Sequence, residues 1–246
     1  GLAKLAALDL KKLPKVSGQP RLGPPVSGIR NFVCIGLNYS DHAVETGATP
    51  PNEPIVFLKS LSALSGPDDP IVIPRNSRKT DWEAELAIVV GTKTSNVAEA
   101  DALRHIAGYT ICNDVSGRRL DLPPPGRREA TFDGFMDWLN GKWLDGYAIL
   151  GPAIVSADEA GDLGDVRIVS RVSGEVRVDG TTRNVNIPWD ELIAFVSSLM
   201  TLNPGDVITT GMPHGAHDEI YLRPGDVVEG EIERLGVLRN PVIAEA

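Results

Sequence analysis

The stretch that decides the fold is TDWEAELAIVVG, residues 80–91. It places two glutamates, Glu83 and Glu85, directly before an unbroken apolar run that ends at Gly91. Such a run is typical of a strand that is buried on both faces. Because side chains alternate along a strand, both carboxylates are expected to point to one face. Like charges held this close raise the free energy unless a positive charge lies between them, so the stretch predicts either a bound cation or a solvated strand edge.

The bulk composition is that of a globular protein with a full apolar core. The 246 residues are 42% hydrophobic and 23% charged. A net charge of −9 argues against nucleic acid or an anionic membrane as the main partner, although a cation in a cleft can still attract an anionic substrate. Cys34 and Cys112 lie in apolar segments and are expected to be buried thiols, with a single disulfide as the alternative. The chain shows no membrane span or signal-peptide pattern, so we expect a cytoplasmic protein.

Strand candidates outnumber helix candidates along the chain. Apolar spacing predicts one helix over residues 96–108, ended by Gly108, and a second that starts at Pro188. Seven stretches read as strands, and twice a Pro-Gly-Asp turn leads into a valine-led strand, at 204–206 and 224–226. The sequence therefore predicts a mostly β protein with a few helices.

Two segments lack the pattern of a regular element. Residues 11–29 are rich in proline, glycine and lysine and are expected to run extended over the surface into the first core strand at Phe32. Residues 118–135 contain three consecutive prolines and four arginines, which argues against regular structure. We predict a long loop there, of the kind that often carries function.

A third acidic residue stands at the end of another predicted strand, in GYTICNDVSGR. Asp114 follows Asn113 where the apolar run stops. An aspartate in this place is otherwise a turn former or a helix cap. Together with Glu83 and Glu85 it gives three carboxylates at two strand ends. Such a set suits Mg²⁺, Mn²⁺ or Ca²⁺ better than Zn²⁺, which favours histidine or cysteine.

A histidine and two lysines complete the candidates for chemistry. His42 and Glu45 are three residues apart in LNYSDHAVE, so on one helical turn the carboxylate can orient the imidazole as a general base. The alternative is an ordinary helix start with Glu45 in a capping interaction. Lys142 and Lys59 each border a predicted strand, and each either points inward towards an anionic oxygen or is a surface lysine.

Taken together, these stretches resemble the fumarylacetoacetate hydrolase family. IGLNYSDHAVETG, EPIVFLKS, KTDWEAELAIVVG, AGYTICNDVSGR, the GK before LDG, LGP and LNPGDVITTG occur in family order and spacing over residues 30–240. The resemblance implies a mixed β-sandwich or β-roll, a homodimer, and one divalent metal ion per active site. That ion would be Mg²⁺ or Mn²⁺, with Ca²⁺ able to take its place in crystals. It also implies an N-terminal extended segment over 1–29, the remnant of a variable region, and a catalytic domain over 30–246.

The resemblance also assigns a role to each polar residue of the predicted site. The metal ligands would be Glu83, Glu85 and Asp114. His42 and Glu45 would form the dyad that activates water. Lys142 near the oxyanion, Arg118 at the acidic end of the substrate, and Lys59 would be the substrate contacts.

The departures from the family pattern fall in the expected pocket wall. Asp121 stands where pyruvate-handling members commonly carry glutamine, and Met212 replaces the second threonine of a Thr-Gly-Thr-Pro motif. The loop over 119–135 replaces a short one, and the glycine-rich loop is shortened to HGAHDEIY at 214–221. We therefore assign Asp121 and Met212 to substrate binding and expect an altered or bulkier substrate.

The activity that the resemblance implies is hydrolysis of a carbon–carbon bond in an acylpyruvate or 2,4-diketo acid, with release of pyruvate. A 2,4-diketo-3-deoxy sugar acid or a fumarylpyruvate-like compound would be such a small anionic 2-oxo acid. The metal ion would polarise its oxygens, His42 would take a proton from water, and Lys142 would stabilise the enolate. Relatives decarboxylate 2-oxo diacids or isomerise enols at the same site, so these reactions are alternatives. A non-catalytic binding member is a further alternative, supported by Met212.

Overall fold

The computed structural model describes residues 2–77, 79–121, 133–213 and 220–246. The strands are β1 Phe32–Gly36, β2 Ile55–Leu58, β3 Leu64–Ser65, β4 Ile71–Ile73, β5 Thr80–Asp81, β6 Ala84–Val90, β7 Ile106–Asp114, β8 Ser116–Gly117, β9 Ala148–Ser156, β10 Arg167–Val172, β11 Glu175–Thr181, β12 Val207–Thr209, β13 Val227–Ile232 and β14 Gly236–Ala244. The α-helices are α1 Leu2–Ala6, α2 Ser40–Thr46, α3 Glu99–Ala102, α4 Asp133–Gly141, α5 Ala157–Ala160 and α6 Trp189–Leu199. Three-residue 3-10 helices lie at Leu10–Lys12, Leu61–Ala63, Leu103–His105 and Thr182–Asn184. The prediction of a mostly β protein with a few helices is confirmed.

Two large sheets of mixed strand direction form the body of the protein. The seven-stranded sheet has the order β2-β1-β12-β6-β7-β9-β3, and the five-stranded sheet has the order β11-β10-β13-β14-β4. β1 with β12, β3 with β9, and β4 with β14 are parallel pairs, whereas the neighbours of β6 are antiparallel to it. The short strands β5 and β8 pair separately. The mixed β-roll that the resemblance implies is therefore confirmed.

β6 lies at the centre of the seven-stranded sheet, and all of its residues are buried. A strand covered on both faces needs no polar alternation, which explains the unbroken apolar run in the sequence. On one face, Leu86 and Ile88 join the main core beneath the five-stranded sheet. On the other face, Ala87 joins a smaller cluster that contains Cys34 and Cys112. Both cysteines are buried and free, so the alternative of a disulfide is wrong.

The two predicted helices have different outcomes. α6 starts directly after Pro188, as predicted. The helix predicted over residues 96–108 is confirmed in part, because α3 and a 3-10 turn cover residues 99–105, whereas Gly108 lies inside β7. A Cβ atom at Gly108 would lie 2.3 Å from the carbonyl oxygen of Val155. This glycine therefore allows β7 and β9 to approach closely and does not end a helix.

The N-terminal segment is fastened to the sheets by an ion pair. After α1 and one 3-10 turn, its residues up to 29 form no further helix or strand, so the predicted extended segment is partly helical at its start. Arg21 donates from Nε and Nη2 to the two carboxylate oxygens of Asp69, at 2.7 and 2.6 Å. The division of the chain into 1–29 and 30–246 stays a prediction.

The predicted loop over 118–135 is shorter than expected. α4 begins at Asp133, and residues 122–132 lie outside the described residues. The shortened loop predicted from HGAHDEIY also lies outside them over 214–219. None of the helices that the structure describes has the length and apolar character needed to cross a membrane.

The two Pro-Gly-Asp turns use their aspartates in the same way. In each turn the residue three positions earlier donates its backbone N–H to Oδ2 of Asp206 or Asp226, at 2.8 Å. Asp206 is buried and also accepts from the backbone N–H groups of Arg30 and Asn31, at 2.9 Å each. The carboxylate of Asp206 thus fixes the start of β1 beside its parallel partner β12.

We expect Asp206→Ala to lower the free energy of unfolding by about 2–4 kcal/mol, because several buried N–H groups lose their acceptor. The matched variant Asp226→Ala should cost about 1 kcal/mol, since this carboxylate is more exposed and water can replace it. Chemical denaturation measures both changes. Equal losses in the two variants would contradict the bridging role of Asp206.

The stabilisation by Asp206 should also depend on pH. Burial raises the pKa of Asp206, but hydrogen bonds from Asn203, Asn31 and Arg30 outweigh this effect and hold the pKa below its ordinary value. The contribution is therefore present above the ordinary carboxyl pKa and is lost as the solution pH falls through the lowered pKa. Denaturation of the wild type and Asp206→Ala should give converging free energies of unfolding as the pH falls from about 7 to about 3.

Candidate active site

Three carboxylates converge where β6 begins and β7 ends. Glu83 precedes β6, Glu85 is its second residue, and Asp114 is the last residue of β7. The antiparallel register, with Ala84 opposite Asn113, brings the two strand ends together. One carboxylate oxygen from each acid lies within 4.8 Å of the others. Glu85 is 2% exposed and Asp114 is fully buried, so the alternative of a solvated strand edge is wrong.

Two buried lysines bind these carboxylates. Lys142 donates from Nζ to Glu83 Oε2 and to Asp114 Oδ2, both at 2.8 Å. Lys59 donates from Nζ to Asp114 Oδ1 and, at 3.0 Å, to the carbonyl oxygen of Val115. Lys142 and Lys59 are 1% and 4% exposed, so the alternative of surface lysines is wrong for both.

An arginine and a fourth carboxylate complete the charged cluster. Arg118 donates from Nε to Asp81 Oδ2 at 2.7 Å, and its Nη2 donates to Glu83 Oε1. Asp81 is 1% exposed and lies in β5. The sequence reasoning missed Asp81, although it stands two residues before Glu83 and so continues the alternation that pointed to Glu83 and Glu85.

The cations compensate the acids unequally. Burial would raise the pKa of Glu83, but Lys142 and Arg118 outweigh burial and hold this pKa well below its ordinary value. Burial and then the charges of Asp114 and Glu83 raise the pKa of Glu85 well above its ordinary value. Three cations against four carboxylates leave one negative charge when every group is ionised. Burial also raises the pKa of Asp81, but Asp81 is paired with Arg118, whereas Glu85 forms no ion pair with the residues that the structure describes. We therefore assign the excess charge to Glu85.

The donor set fits a divalent cation. Glu85 accepts the backbone N–H of Gly211 at 2.6 Å, and this hydrogen bond does not neutralise its charge. A lysine N–H occupies part of the lone-pair capacity of a carboxylate and leaves room for a metal ion, while it orients the ligand. Three carboxylate oxygens without histidine or cysteine suit Mg²⁺ or Mn²⁺. A divalent cation here would turn the net charge from −1 to +1 and would attract an anionic substrate.

His42 lies at the wall of the same cleft. The turn between β1 and α2 is fixed by Asn38, which donates from Nδ2 to the carbonyl oxygens of Ile187 and Thr210 at 3.2 Å each. The side chain of Asn38 also accepts the backbone N–H of Ile187 at 2.9 Å. His42 follows on the first turn of α2 and is half-buried, and Glu45 lies three residues on, with an exposed side chain. The structure therefore brings His42, rather than Glu45, to the cleft.

The cleft has a volume of about 580 Å³. Its charged end consists of Asp81, Glu83, Glu85, Arg118 and Lys142, and the rest of the described lining consists of Ile35, Gly36, Leu37, His42, Ile55, Phe57, Phe135, Trp138, Gly211, Met212 and Tyr221. Met212 lies in the wall, as expected for a substrate contact.

Two residues assigned to the substrate are not brought to the described wall of the cleft. Asp121 is exposed, and its backbone N–H donates to the carbonyl oxygen of Asn76 at 2.6 Å. Lys59 lies beneath the cleft, where its ammonium group is held by Asp114 and Val115. Lys59 is therefore placed to orient a carboxylate rather than to contact a substrate.

Together, the mixed β fold and the carboxylate cluster beside a cleft are typical of an enzyme, and comparison with known proteins gives its family. Residues 31–243 match the family model described as fumarylacetoacetate (FAA) hydrolase C-terminal. The 2,4-didehydro-3-deoxy-L-rhamnonate hydrolase of Sphingomonas sp. strain SKA58 is 41% identical over 246 residues, which cover 98% of this chain and 83% of that protein. This chain belongs to the fumarylacetoacetate hydrolase family, whose members generally depend on a divalent metal ion.

Solved structures with this fold carry more than one activity in their names. The fumarylacetoacetate hydrolase of Exiguobacterium antarcticum has a TM-score of 0.82 at 37% identity, over 97% of this chain and 83% of that chain. The 5-carboxymethyl-2-hydroxymuconate delta-isomerase of Mycobacterium smegmatis has a TM-score of 0.78 at 36% identity, over 92% of this chain and 83% of that chain. The family therefore includes hydrolases and isomerases.

We expect Glu85→Gln to stabilise the protein at about pH 8 in the presence of a chelator, because the amide removes a buried negative charge and can still accept the Gly211 N–H. The raised pKa of Glu85 means that its protonated form favours folding below the ordinary pKa. This contribution is lost as the pH rises towards the raised pKa, so the advantage of the variant should grow from about pH 5 to about pH 8. Denaturant unfolding in EDTA measures it.

The exposed Glu53→Gln is the matched control and should change the free energy of unfolding little. Added Mn²⁺ should raise the melting temperature of the wild type and of Glu53→Gln more than that of Glu85→Gln, because binding to the folded state stabilises it. A variant that is less stable than the wild type in EDTA at both pH values would contradict the charge imbalance at Glu85.

Proposed function

We propose that this enzyme hydrolyses the C3–C4 bond of an acylpyruvate or another 2,4-diketo acid and releases pyruvate. The observation that supports the proposal is that one cleft holds a carboxylate cluster fit for a divalent cation, a histidine and two cationic side chains. Mg²⁺ or Mn²⁺, when bound by Glu83, Glu85 and Asp114, would supply Lewis-acid polarisation of the 2-oxo acid oxygens.

The cationic side chains hold the acidic end of the substrate in this proposal. The ammonium group of Lys142 has three N–H donors, of which two bind Glu83 and Asp114. The third N–H is available for a substrate oxygen on which negative charge develops. Arg118 lines the cleft and has N–H groups beyond the two that bind Asp81 and Glu83, so it can bind a substrate carboxylate.

His42 is the general base in this proposal. Its imidazole takes a proton from water, and the water oxygen attacks the C4 carbonyl carbon. The C3–C4 bond then breaks with its electron pair moving to C3, and C3 receives the proton from His42. The products are pyruvate and a carboxylic acid, so one molecule of water is consumed. Glu45, on the next turn of α2, is proposed to orient the imidazole.

Enol–keto isomerisation is the second candidate, and the similarity to a solved delta-isomerase favours it. An isomerase would use the same cluster to hold an enolate, and His42 would move a proton from the enol oxygen to a carbon atom without activating water. Decarboxylation of a 2-oxo diacid would need the cluster and no base. Identification of the reaction products therefore distinguishes hydrolysis, isomerisation and decarboxylation.

The testing experiment measures pyruvate release from 2,4-dioxopentanoate and longer 2,4-diketo acids, coupled to lactate dehydrogenase, with Mg²⁺, with Mn²⁺ and with EDTA. Hydrolysis that stops in EDTA is the expected result. Oxaloacetate decarboxylation and the ultraviolet change of enol–keto conversion are followed in parallel. Turnover in either of these assays, with no pyruvate from any diketo acid, would overturn the hydrolase proposal.

We expect His42→Asn to lower kcat for diketo acid hydrolysis about 10²- to 10⁴-fold, because a positioned general base contributes this much. The rise in melting temperature with Mn²⁺ should be unchanged, because His42 lies outside the carboxylate cluster. His105→Asn is the matched control, since His105 contacts Thr92 away from the cleft. A loss of the Mn²⁺ shift in His42→Asn would show that the roles are wrongly assigned.

A homodimer and a cytoplasmic location are part of the proposal. Leu58 and Trp143 have exposed apolar side chains, and Trp143 donates from Nε1 to the Leu58 carbonyl oxygen at 2.9 Å. Such a surface suits contact with a second copy. Light scattering on the purified protein tests the dimer.

A further inference from the structure

The cleft is divided into a charged end and an apolar remainder. Beyond the five charged residues and His42, the described side chains that line it are aliphatic or aromatic, or belong to Met212. No serine, threonine, asparagine or glutamine is among these described lining residues, and Tyr221 supplies the one uncharged hydroxyl there. A substrate hydroxyl group held in this part of the cleft would therefore lose water and gain few hydrogen-bond partners.

Three aromatic rings run from the charged end towards the mouth of the cleft. The Nζ atom of Lys142 lies 5.5 Å from the ring centroid of Phe57. Phe57 lies edge-on to Trp138, with centroids 4.8 Å apart and planes at 65°, and Trp138 lies 5.6 Å from Phe135. Phe135 is 54% exposed, so this end of the row meets solvent. We refer to Phe57, Trp138 and Phe135 as the aromatic row.

The aromatic row is built from two separate elements. Phe57 belongs to the edge strand β2, whereas Phe135 and Trp138 are three residues apart on α4 and so share one face of that helix. Phe57 and Trp138 are half-buried, and both line the cleft. Exposed aromatic surface is unfavourable in water, so a row of such rings beside a charged cluster is a binding surface for an apolar group.

We infer that the acyl group on the C4 carbonyl of the substrate is an aryl group or another planar apolar group, bound against the aromatic row. The inference rests on the proposed function, because the charged cluster must hold the 2-oxo acid end for the acyl group to reach these rings. Edge-to-face and offset contacts with Phe57 and Trp138 favour a planar ring over a hydroxylated chain. The expected substrate class thus differs from the sugar acid in the name of the Sphingomonas relative.

The first test compares kcat/KM for three diketo acids with Mn²⁺ present: 2,4-dioxo-4-phenylbutanoate, 2,4-dioxopentanoate and a 2,4-diketo-3-deoxy sugar acid. The phenyl compound should exceed the methyl compound by about tenfold or more, and the sugar acid should be the poorest. A sugar acid that equals or exceeds the phenyl compound would overturn the inference.

The second test substitutes a ring of the aromatic row. Trp138→Leu should lower the ratio of kcat/KM for the phenyl compound to that for the methyl compound about tenfold, because the leucine removes the ring and keeps an apolar side chain. Phe195→Leu, on α6 and outside the described lining, is the matched control and should leave the ratio unchanged. An equal loss with both substrates in Trp138→Leu would overturn the inference.

Direct binding separates this inference from the proposed function. Calorimetry with Mn²⁺ compares 4-phenyl-2-oxobutanoate and 2-oxopentanoate, which lack the C4 carbonyl and cannot be hydrolysed. The phenyl compound should bind about tenfold more tightly to the wild type, and Trp138→Leu should reduce this difference. If no diketo acid is hydrolysed but the preference for the phenyl group holds, the proposed reaction fails, whereas the assignment of the aromatic row as the binding surface for a planar apolar group is supported. If the two compounds bind equally and diketo acids are hydrolysed, the proposed function is supported and the inference about the aromatic row is overturned.

Discussion

Four carboxylates can lie together at the charged end of the cleft because two buried lysines and the half-buried Arg118 are paired with them. An unpaired ionised group in the interior would cost several kcal/mol, and its pairing with lysine or arginine offsets much of that cost. The cations come from distant parts of the chain: Lys59 follows β2, Arg118 follows β8 and Lys142 follows α4. The ion pairs between these cations and the carboxylates therefore connect the central sheet to the segments around the cleft. Hydrophobic residues of similar volume would stabilise a fold as well, which indicates that this cluster is kept for chemistry.

The sequence predicted the parts of the site that depend on local pattern. The alternation around Glu83 and Glu85 and the strand end at Asp114 follow from short-range periodicity, and the structure brings these acids together. The structure does not bring Asp121 to the described wall of the cleft, and the sequence reasoning missed Asp81 although it continues the same alternation. The pairing of Asp81 with Arg118 spans 37 residues, and no local pattern encodes such a contact. The prediction that Gly108 ends a helix was wrong for a similar reason. A side chain at this position would collide with the neighbouring strand β9, and that contact is not visible in the local sequence.

The cluster by itself does not choose between the reactions that its relatives are named for. Hydrolysis and isomerisation both begin with a 2-oxo acid whose oxygens are polarised and whose enolate is stabilised. The choice between hydrolysis and isomerisation must therefore depend on the positions of water and the base, and on which substrates fit the cleft wall. In this chain one residue of the described wall, Met212, departs from the Thr-Gly-Thr-Pro motif of the family that the sequence resembles. Specificity can change there while the charged end stays the same.

The order of strands in the central sheet also has a consequence for biosynthesis. β12 lies between β1 and β6, and Asn31 is bonded to Asp206 across 175 residues of chain. At the usual pace of translation, the β1 segment waits on the order of ten seconds for this partner to leave the ribosome. Lys142, in contrast, follows Asp114 by only 28 residues, which takes about 1–6 s at the same pace. The nascent chain therefore passes through a stage in which the acids and their cationic partners have been made but the central sheet still lacks β12, and chaperones would be most useful during this stage.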